Sequence, residues 1–286
     1  MNYLITGATG ELGGYALNYL KEHASLNNIV ALARTEEKAI PLREQGFDVR
    51  IGDFDDYSSL VKAFTGIDRL LFISSQPGGP VTREEQHQHV VKAAKETGIS
   101  FIAYTSFPKG AQSKSPLAQD HISTEKLIVE SGIPHSFLRN NWYLENESDT
   151  LKAALSGLPF TYSAEEGKVG WALKREFAEA AVNVLTGKSE SKDIFELSGS
   201  PTTYGELANV LKIASQKDFD IVSMNDDQYK DVLVTSNVPE AAIGFILMIQ
   251  NDIRTGQLDI SSTDFELALG KPLTPLVDAL KEFLTK

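Results

Sequence analysis

The sequence contains no cysteine among its 286 residues. Without thiols it can form neither a disulfide framework nor a zinc site with sulfur ligands, and it has no thiolate nucleophile. It also lacks the H-E-x-x-H and G-x-S-x-G motifs of metalloproteases and serine hydrolases. His87 and His89 stand two positions apart on a predicted helix and so point in different directions. We therefore predict no metal site and interpret both histidines as part of a solvated helix face.

Long apolar runs and clusters of basic residues are also missing. No segment approaches the roughly eighteen consecutive apolar residues of a membrane-spanning helix, and the first residues lack the basic start and apolar core of a signal peptide. The formal net charge of −12 repels nucleic-acid phosphates, and no stripe of Lys and Arg counteracts it. These absences favour a cytoplasmic protein that neither inserts into a membrane nor binds nucleic acid.

What the sequence does contain is a regular alternation of short apolar runs with helical periods. We predict strands over residues 3–6, 29–34, 49–54, 70–75, 101–106 and 136–139, and helices over residues 36–46, 57–66, 82–98 and 123–132. The helix over residues 36–46 is expected to be interrupted near Pro41. Continuous apolar strands joined through helices predict a parallel sheet covered on both faces. The fold class is thus α/β, a doubly wound Rossmann sheet.

Beyond Asn140 the alternation loosens. Helical periodicity is clear at residues 177–185, 204–211, 241–253 and 276–284, between turn signals rich in Gly, Pro and Ser. We predict a dinucleotide-binding domain over residues 1–140 and a smaller α/β cap over residues 141–286. Because ligands bind at the carboxyl ends of the strands in open α/β sheets, we expect the cap to lie there, closely packed, and to select the substrate.

The strongest chemical signal lies between the first predicted strand and the helix that follows it. Residues 7–13 read GATGELG, which places three glycines at the spacing of the dinucleotide fingerprint. Gly7 allows a tight turn, Gly10 lets a pyrophosphate approach the backbone, and Gly13 permits close helix packing. The amides at the helix N-terminus then point at the anion. The predicted cofactor-binding residues of this motif are Gly7, Thr9, Gly10, Glu11, Leu12 and Gly13.

Arg34 ends the second predicted strand, where NAD-binding folds carry an acidic residue that binds the ribose hydroxyls. A guanidinium can grip a 2′-phosphate, so Arg34 favours NADP(H) over NAD(H); the alternative is a solvated surface charge. After the third strand, Asp53 and Phe54 are the residues that we expect beside the adenine. Asp53 has a second interpretation, as the cap of the next helix.

The fourth and fifth strands supply further candidates at the same edge of the sheet. Ser74, Ser75 and Gln76 end the fourth strand and are predicted to border the nicotinamide ribose, although serines there also suit an ordinary turn. The fifth strand ends in Ser106 and Phe107. Phe107 is predicted to bind substrate, whereas Ser106 either faces the site or lies away from it.

Together with residues 52–54 (GDF), 101–106 (FIAYTS) and 138–146 (LRNNWYLEN), the glycine motif resembles the NmrA-like branch of the atypical short-chain dehydrogenases. The resemblance is strongest to the bacterial NADPH-dependent quinone oxidoreductases of that branch and covers essentially the full chain. It implies that the segment from Arg139 to Leu144 lines the nicotinamide end of the cofactor and that Lys174 adds a contact. The cofactor-binding residues that it implies are Asn140, Asn141, Trp142, Tyr143 and Lys174. By residue type alone, the two aromatic residues would pack in a core and Lys174 would be an exposed charge.

The sequence departs from the wider superfamily at its catalytic dyad, a Tyr and a Lys four positions apart. In residues 116–125 (PLAQDHISTE), Leu117 stands at the Tyr position and His121 at the Lys position. Reduction of a simple ketone needs a proton donor as hydride arrives, whereas a quinone gives an aromatic hydroquinone anion that can take its proton from water. The missing dyad therefore suits quinone reduction, or a protein without turnover. His121 either contacts ribose or substrate or caps a helix that begins near Ser123.

Two functions therefore stay open. One is an NADPH-dependent oxidoreductase that passes hydride to a small-molecule quinone, with Phe107, His121 and Trp142 at the substrate and no residue assigned as catalytic. The other is a redox-sensing regulator that binds NADP(H) and reports its state to a protein partner. Asn140 to Tyr143 beside the nicotinamide position favour turnover. A homodimer is one oligomeric state that the sequence leaves open.

Overall fold

The computed structural model describes residues 1–76 and 78–285. In chain order the strands are β1 (Tyr3–Ile5), β2 (Ile29–Ala33), β3 (Asp48–Ile51), β4 (Arg69–Phe72), β5 (Phe101–Ser106), β6 (His135–Asn140), β7 (Phe160–Tyr162), β8 (Lys168–Val169), β9 (Ile194–Leu197), β10 (Thr202–Thr203) and β11 (Ile221–Ser223). The helices are α1 (Glu11–Leu20), α2 (Glu36–Glu44), α3 (Tyr57–Phe64), α4 (Arg83–Glu96), α5 (Ala118–Ser131), α6 (Ser148–Leu155), α7 (Lys174–Thr186), α8 (Tyr204–Ser215), α9 (Asp226–Thr235), α10 (Glu240–Arg254), α11 (Asp264–Leu269) and α12 (Leu276–Leu284).

Seven strands form one parallel sheet in the order β3-β2-β1-β4-β5-β6-β9. Every residue of β1 and β2 is buried, as expected for strands with helices on both faces. The strand order reverses between β1 and β4, and this switch point is where open α/β sheets bind ligands. The predicted doubly wound Rossmann class is confirmed.

Side-chain caps set the start of several helices. Thr35, Asp56 and Thr82 accept backbone N–H bonds from the first turns of α2, α3 and α4. The interruption predicted near Pro41 is wrong, because α2 runs through this residue, which removes only one backbone hydrogen bond. The predicted start of α5 near Ser123 is also wrong. Ser115 Oγ accepts the Leu117 N–H (3.2 Å), and the helix begins at Ala118.

The chain forms two compact units. The first comprises Met1–Asn140, Lys174–Leu197 and Asp264–Pro272, and the second comprises Asn141–Leu173, Ser198–Thr263 and the chain from Leu273 onward. The chain leaves the first unit after Asn140, where the sequence places its boundary. It then returns to this unit twice, which the sequence did not predict: α7 packs against α1, and β9 pairs with β6.

Each unit has its own apolar cluster. In the first unit the cluster lies on the sheet and includes Leu4, Phe72, Tyr104 and Phe64. The second unit contains two small sheets, antiparallel β8/β10 and parallel β7/β11, and a cluster centred on Tyr229 and its helical neighbours. Within residues 1–76 and 78–285, no helix combines the length and apolarity needed to cross a lipid bilayer.

Candidate functional site

The glycine turn begins where β1 ends. Gly7 adopts a φ of +60°, and the Gly10 N–H donates to the Gly7 carbonyl (3.0 Å). Thr6 ties the turn to the loop after β4, since its Oγ1 accepts the Ile73 N–H (2.8 Å) and donates to the Ile73 carbonyl (3.1 Å). Gly10 is the N-cap of α1 and supplies no side chain to the first amides of the helix. The turn is therefore anchored, and these amides suit an anion.

The surroundings of the glycines separate their roles. A Cβ placed on Gly13 would lie 2.2 Å from the Gly7 carbonyl oxygen, which no side chain can tolerate. A Cβ on Gly10 would meet only that same oxygen, at 3.4 Å, which is ordinary contact. Gly13 is therefore required by packing of the helix against the turn. Gly10 keeps an open surface of a kind that fits a pyrophosphate.

The other residues of the motif lie at the surface of the turn. Thr9 and Glu11 are exposed and Leu12 is half-buried. Glu11, in the first turn of α1, forms an ion pair with Lys174, the first residue of α7. Lys174 is not the exposed charge that its residue type predicted, because only 16% of its side chain is accessible. Two residues predicted to contact the cofactor are thus adjacent.

Arg34 and Asp53 come together at the ends of β2 and β3. Arg34 Nε lies 3.9 Å from Asp53 Oδ1, and 66% of the Arg34 side chain is exposed. This distance is too long for a strong ion pair, so the guanidinium keeps donors for another anion. Asp53 Oδ1 accepts the Asp55 N–H (3.1 Å), whereas Asp56 caps α3. The interpretation of Asp53 as the helix cap is therefore wrong.

Phe54 lies half-buried beside Asp53. Its ring meets the edge of Phe72 at 5.8 Å between centroids and the edge of His87 at 6.5 Å. The strands predicted to reach Phe54 and Ser75 end earlier, at Ile51 and Phe72, so these residues occupy loops. Phe54 therefore combines packing on the sheet with partial access from the carboxyl edge.

The loop after β4 is held by side chains from its neighbours. The Ser74 N–H donates to Thr105 Oγ1 (3.0 Å), and both the N–H and the Oγ of Ser75 bond to His87 Nε2 (3.1 and 3.2 Å). Gln76 is exposed. The serines predicted to border the nicotinamide ribose thus have fixed positions.

His87 does not lie on a solvated helix face, so that prediction is wrong. It is fully buried, and its Nδ1 lies 2.7 Å from Thr124 Oγ1. Because Thr124 Oγ1 donates to the Asp120 carbonyl (2.6 Å), Nδ1 must carry the proton and Nε2 accepts from Ser75. Burial, followed by the charge of Arg83, lowers the pKa of His87 to about 3. His87 shares the helical spacing of buried Val90, Val91 and Ala94, a signal that could have predicted its burial.

His89 lies apart from His87 and bonds through Nδ1 to the Phe54 carbonyl (2.8 Å). No group of three or more His, Asp or Glu side chains suited to a metal ion occurs in the described part of the chain. Both histidines therefore serve the packing of α4.

His121 lies inside α5, so its interpretation as a helix cap is wrong. Its Nδ1 is 2.9 Å from the hydroxyl of Tyr104, and its ring lies 6.0 Å from that of Phe107. Burial is the main cause that lowers the pKa of His121 well below its usual value, and it raises the pKa of Tyr104. His121 is therefore a neutral imidazole at physiological pH. Tyr104, its partner, was not singled out from the sequence because a tyrosine within an apolar strand resembles any core residue.

Ser106 is bound within an ion-pair network. Its Oγ donates to Glu125 Oε1 (2.6 Å), and Arg139 grips the same carboxylate through Nε (2.9 Å) and Nη2 (2.7 Å). Arg139 Nη1 also contacts Glu196 Oε1 (3.1 Å). Of the two alternatives for Ser106, the buried structural role is the one that these contacts support.

The segment after β6 is dominated by buried polar groups. Asn140 is buried at the end of β6. Asn141 Nδ2 donates to Ser198 Oγ and to the Leu258 carbonyl (both 2.9 Å), while its Oδ1 accepts the Trp142 N–H (2.8 Å). Tyr143 forms an isolated parallel bridge with Ala172. The amide of Asn141 is thus occupied in holding the second unit together.

Glu147 is a buried acid that sequence reasoning missed. Its Oε1 accepts hydrogen bonds from Trp142 Nε1 (3.0 Å), Trp171 Nε1 (3.2 Å) and the Tyr204 hydroxyl (3.0 Å). Both tryptophans of the chain therefore donate to one carboxyl group. Burial raises the pKa of Glu147 to about 7. The sequence carries no local signal for this cluster, because its members come from distant segments.

Two of the known proteins that are similar to this chain are oxidoreductases, and the matching family model is a cofactor-binding one. Residues 7–185 match a family model described as NAD(P)H-binding. Quinone oxidoreductase 2 of Escherichia coli is 34% identical over 277 residues, 96% of either chain. An NmrA-like family domain-containing oxidoreductase of Aspergillus flavus is 24% identical and covers 100% of this chain and 96% of its own.

Solved structures extend this similarity. The NADPH-dependent quinone oxidoreductase of Escherichia coli, solved with NADPH, aligns with a TM-score of 0.91 at 33% identity over 99% of both chains. The triphenylmethane reductase of Citrobacter sp., solved with NADP(H), aligns with a TM-score of 0.92 at 34% identity over 99% of both chains.

Proposed function

Because this chain belongs to the NAD(P)H-binding family, in its NmrA-like branch, we propose that it is an NADPH-dependent oxidoreductase that transfers hydride to a quinone. The bound cofactor would supply the hydride. The balanced reaction converts NADPH, quinone and one proton into NADP⁺ and hydroquinone. A quinone with the added hydride is a hydroquinone monoanion, which can take its proton from solvent.

The proposal depends most on one observation, the glycine turn with its open surface at Gly10. The backbone at Gly10 leaves room for an approaching phosphate, and the helix amides and the exposed Arg34 would supply charge complementarity. We assign the pyrophosphate to residues 7–13, the 2′-phosphate to Arg34, and the adenine to Asp53 and Phe54. We assign the nicotinamide ribose to Ser74, Ser75 and Gln76. The residues that remain predicted to bind the cofactor are Asn140, Asn141, Trp142, Tyr143 and Lys174.

The choice of a quinone rests on the absent proton donor and on the quinone oxidoreductase relative. Leu117 cannot donate a proton, and His121 is buried, neutral and bonded to Tyr104. We propose that Phe107 and His121 form a substrate wall, and Trp142 remains a predicted substrate residue. An acceptor must then be electrophilic enough to react without acid catalysis.

A second acceptor is suggested by the Citrobacter triphenylmethane reductase. Hydride transfer to a cationic triphenylmethane carbon gives a neutral product and also requires no proton. Dye reduction therefore fits the missing dyad as well as quinone reduction does, and the two acceptors differ in the charge that the site must accommodate.

Steady-state oxidation of NADPH by the purified protein tests the proposal. We expect rapid loss of the nicotinamide absorbance with benzoquinone and none above background with a simple aldehyde or ketone. Rapid aldehyde reduction would reveal another proton donor. NADPH binding without oxidation by benzoquinone would overturn the proposed quinone reductase. Failure with a cationic triphenylmethane dye as well would favour the redox-sensing regulator.

A further inference from the structure

Arg83 carries a buried charge that folding leaves poorly compensated. It is the first residue of α4, after the cap Thr82, and only 10% of its side chain is exposed. Its one ion-pair partner is Asp120, whose Oδ2 lies 3.9 Å from Nη1 and whose side chain is 41% exposed. Such a distance is too long for a hydrogen bond.

The guanidinium also lacks hydrogen-bond acceptors. Nε is fully buried without one, and across residues 1–76 and 78–285 no oxygen accepts a hydrogen bond from Arg83. Burial of an arginine normally requires several such bonds, because removing the ion from water costs several kcal/mol. An unmet cation of this kind is typical of a site that binds an anionic group.

Three neutral rings near Arg83 connect it to the candidate substrate wall, since one of them is His121. Its charge lowers the pKa of both His87 and His121, in addition to the larger effect of burial, and it acts on Tyr104 as well. The Tyr104 ring contacts both histidine rings, with centroids 5.9 Å from that of His87 and 5.9 Å from that of His121. None of these three rings carries a negative charge, so none of them neutralises the guanidinium.

We propose that Arg83 is a substrate-binding and catalytic residue, whose guanidinium donates hydrogen bonds to the quinone oxygen that becomes anionic as hydride arrives. This proposal rests on the proposed function. Hydride adds to one carbonyl oxygen of the quinone, and the π electrons shift through the ring onto the opposite carbonyl oxygen. Arg83 stabilises the resulting hydroquinone monoanion at that second oxygen until solvent supplies a proton. Arg83 would thus stabilise the negative charge on the substrate oxygen, as the dyad does in other short-chain dehydrogenases, but it would not donate a proton.

The charge of Arg83 should also affect which acceptor the protein reduces faster, a quinone or a cationic triphenylmethane dye. A guanidinium next to the substrate stabilises a developing anion and repels a cationic dye. We therefore expect benzoquinone to be the better acceptor and Arg83→Met to narrow its advantage over a cationic triphenylmethane dye.

The first test compares Arg83→Met with the unmodified protein in the NADPH and benzoquinone assay. Loss of one donor to an oxyanion lowers turnover by about 100-fold, and we expect that loss in kcat/KM, with partial recovery in Arg83→Lys. The dissociation constant for NADPH should stay within about twofold, since binding of the cofactor is assigned to other residues. Lys126→Met removes one exposed charge from α5 and serves as the matched control, with full activity expected.

Two further measurements distinguish catalysis from structural support. Because an unpaired buried charge destabilises the fold, Arg83→Met should melt at the same temperature as the unmodified protein or higher. A lower melting temperature together with lost NADPH binding would show a structural arginine and overturn the proposal. So would unchanged kcat/KM.

Binding of 4-nitrophenolate, an anionic mimic of the hydroquinone monoanion, requires no turnover. We expect it to compete with benzoquinone and to bind Arg83→Met at least about 10-fold more weakly. If the unmodified protein does not oxidise NADPH with benzoquinone, the proposed function fails. Phenolate binding then decides separately whether Arg83 forms an anion site, and equal affinity in both proteins overturns it.

Discussion

Arg34 stands at the end of β2 with most of its side chain in solvent and a distant partner in Asp53. If it binds a 2′-phosphate, NADPH should bind much more tightly than NADH. Arg34→Glu should remove the preference, because a charge-assisted bidentate contact contributes roughly 2–3 kcal/mol, about 30- to 150-fold in affinity. Titration of both cofactors by fluorescence measures this.

Lys38→Glu provides the matched control, since it makes the same change of charge at an exposed position of α2. It should leave the preference largely intact. Equal dissociation constants for NADPH and NADH in the unmodified protein would contradict the role of Arg34.

Glu147 should make stability depend on pH in a defined direction. Its pKa of about 7 in the folded protein lies above the ordinary value of 4.5, so the folded state holds a proton that the unfolded state releases. The contribution of Glu147 to stability therefore falls as pH rises from about 4.5 to about 7 and is level above that range, with a total loss of about 3 kcal/mol from this group.

Glu147→Gln keeps an oxygen for Trp142, Trp171 and Tyr204 but cannot ionise. We expect it to match the unmodified protein near the lower end of that range and to exceed it above neutral pH, as measured by urea unfolding. Glu166→Gln, at an exposed position, is the control. A variant that is less stable at every pH would show that the carboxyl group is needed in its charged form.

Single residues also mark how far the sequence can be interpreted. Gly13 could be assigned to packing because the fingerprint fixes its place in a local turn. Three other features could not be predicted: the burial of His121, the neutral state of His87 and the cluster around Glu147. Each of them depends on side chains that the fold brings together from distant segments. Arg83 was overlooked for the same reason, because a lone arginine at a helix start has no sequence signal of burial.

At the scale of elements, the turn between β1 and α1 makes a paired prediction. Gly10→Val should keep the protein folded, because Gly10 has φ −91° and ψ 171°, a backbone conformation that any residue can adopt. The less favourable N-cap residue should lower the unfolding free energy by at most about 1 kcal/mol. Binding of NADPH and NADH should be abolished, because the side chain fills the space assigned to the pyrophosphate. Calorimetric titration measures this loss.

Gly13→Ala should behave in the opposite way. Its Cβ would meet backbone atoms of residues 7 and 8, so α1 must shift, and we expect a loss of about 2 kcal/mol or more in unfolding free energy. Retained cofactor binding in a well-folded Gly10→Val protein would show that the turn is only structural. Equal stability of the two variants would contradict the division of roles.

Strands β1 to β6 and most helices of the first unit follow from local apolar periods, and the helices predicted over residues 204–211 and 276–284 are also present. Element boundaries were less predictable. α5 begins at Ala118, five residues before Ser123, and no side chain caps its N-terminus, so the sequence offers no capping residue that marks this start. Local chemistry thus predicts that an element exists better than where it begins.

At the scale of the whole molecule, two buried neutral imidazoles should control acid stability. The pKa values of His87 and His121 lie below the ordinary 6.5 when the protein is folded, to about 3 for His87. Below pH 6.5 the unfolded chain therefore binds protons that the folded protein does not. Stability present above that pH is lost as pH falls, by about 1.4 kcal/mol per pH unit for each histidine.

Urea unfolding between neutral pH and about pH 5 measures this slope. His121→Gln should remove the part of the slope that one histidine contributes. Glu147→Gln should make the slope steeper, because the contribution of Glu147 changes with pH in the opposite direction in that range. Parallel curves for the unmodified protein and His121→Gln would contradict a neutral buried His121.

The fold class of the whole molecule was predictable because the first 140 residues contain most of the sheet. The return of the chain to the sheet was not, since β9 and α11 are short and their partners lie far away in sequence. Helical periodicity located α7 correctly without indicating that it packs against α1.

The late arrival of β9 has a consequence for biosynthesis. A ribosome that has just released Asn140 has completed six strands of the sheet, but β6 then presents an unpaired edge until residues 194–197 emerge. Exposed strand edges recruit other chains, so the nascent protein passes through a stage in which this edge is open to aggregation. A fragment truncated after Asn140 would remain at that stage and should aggregate.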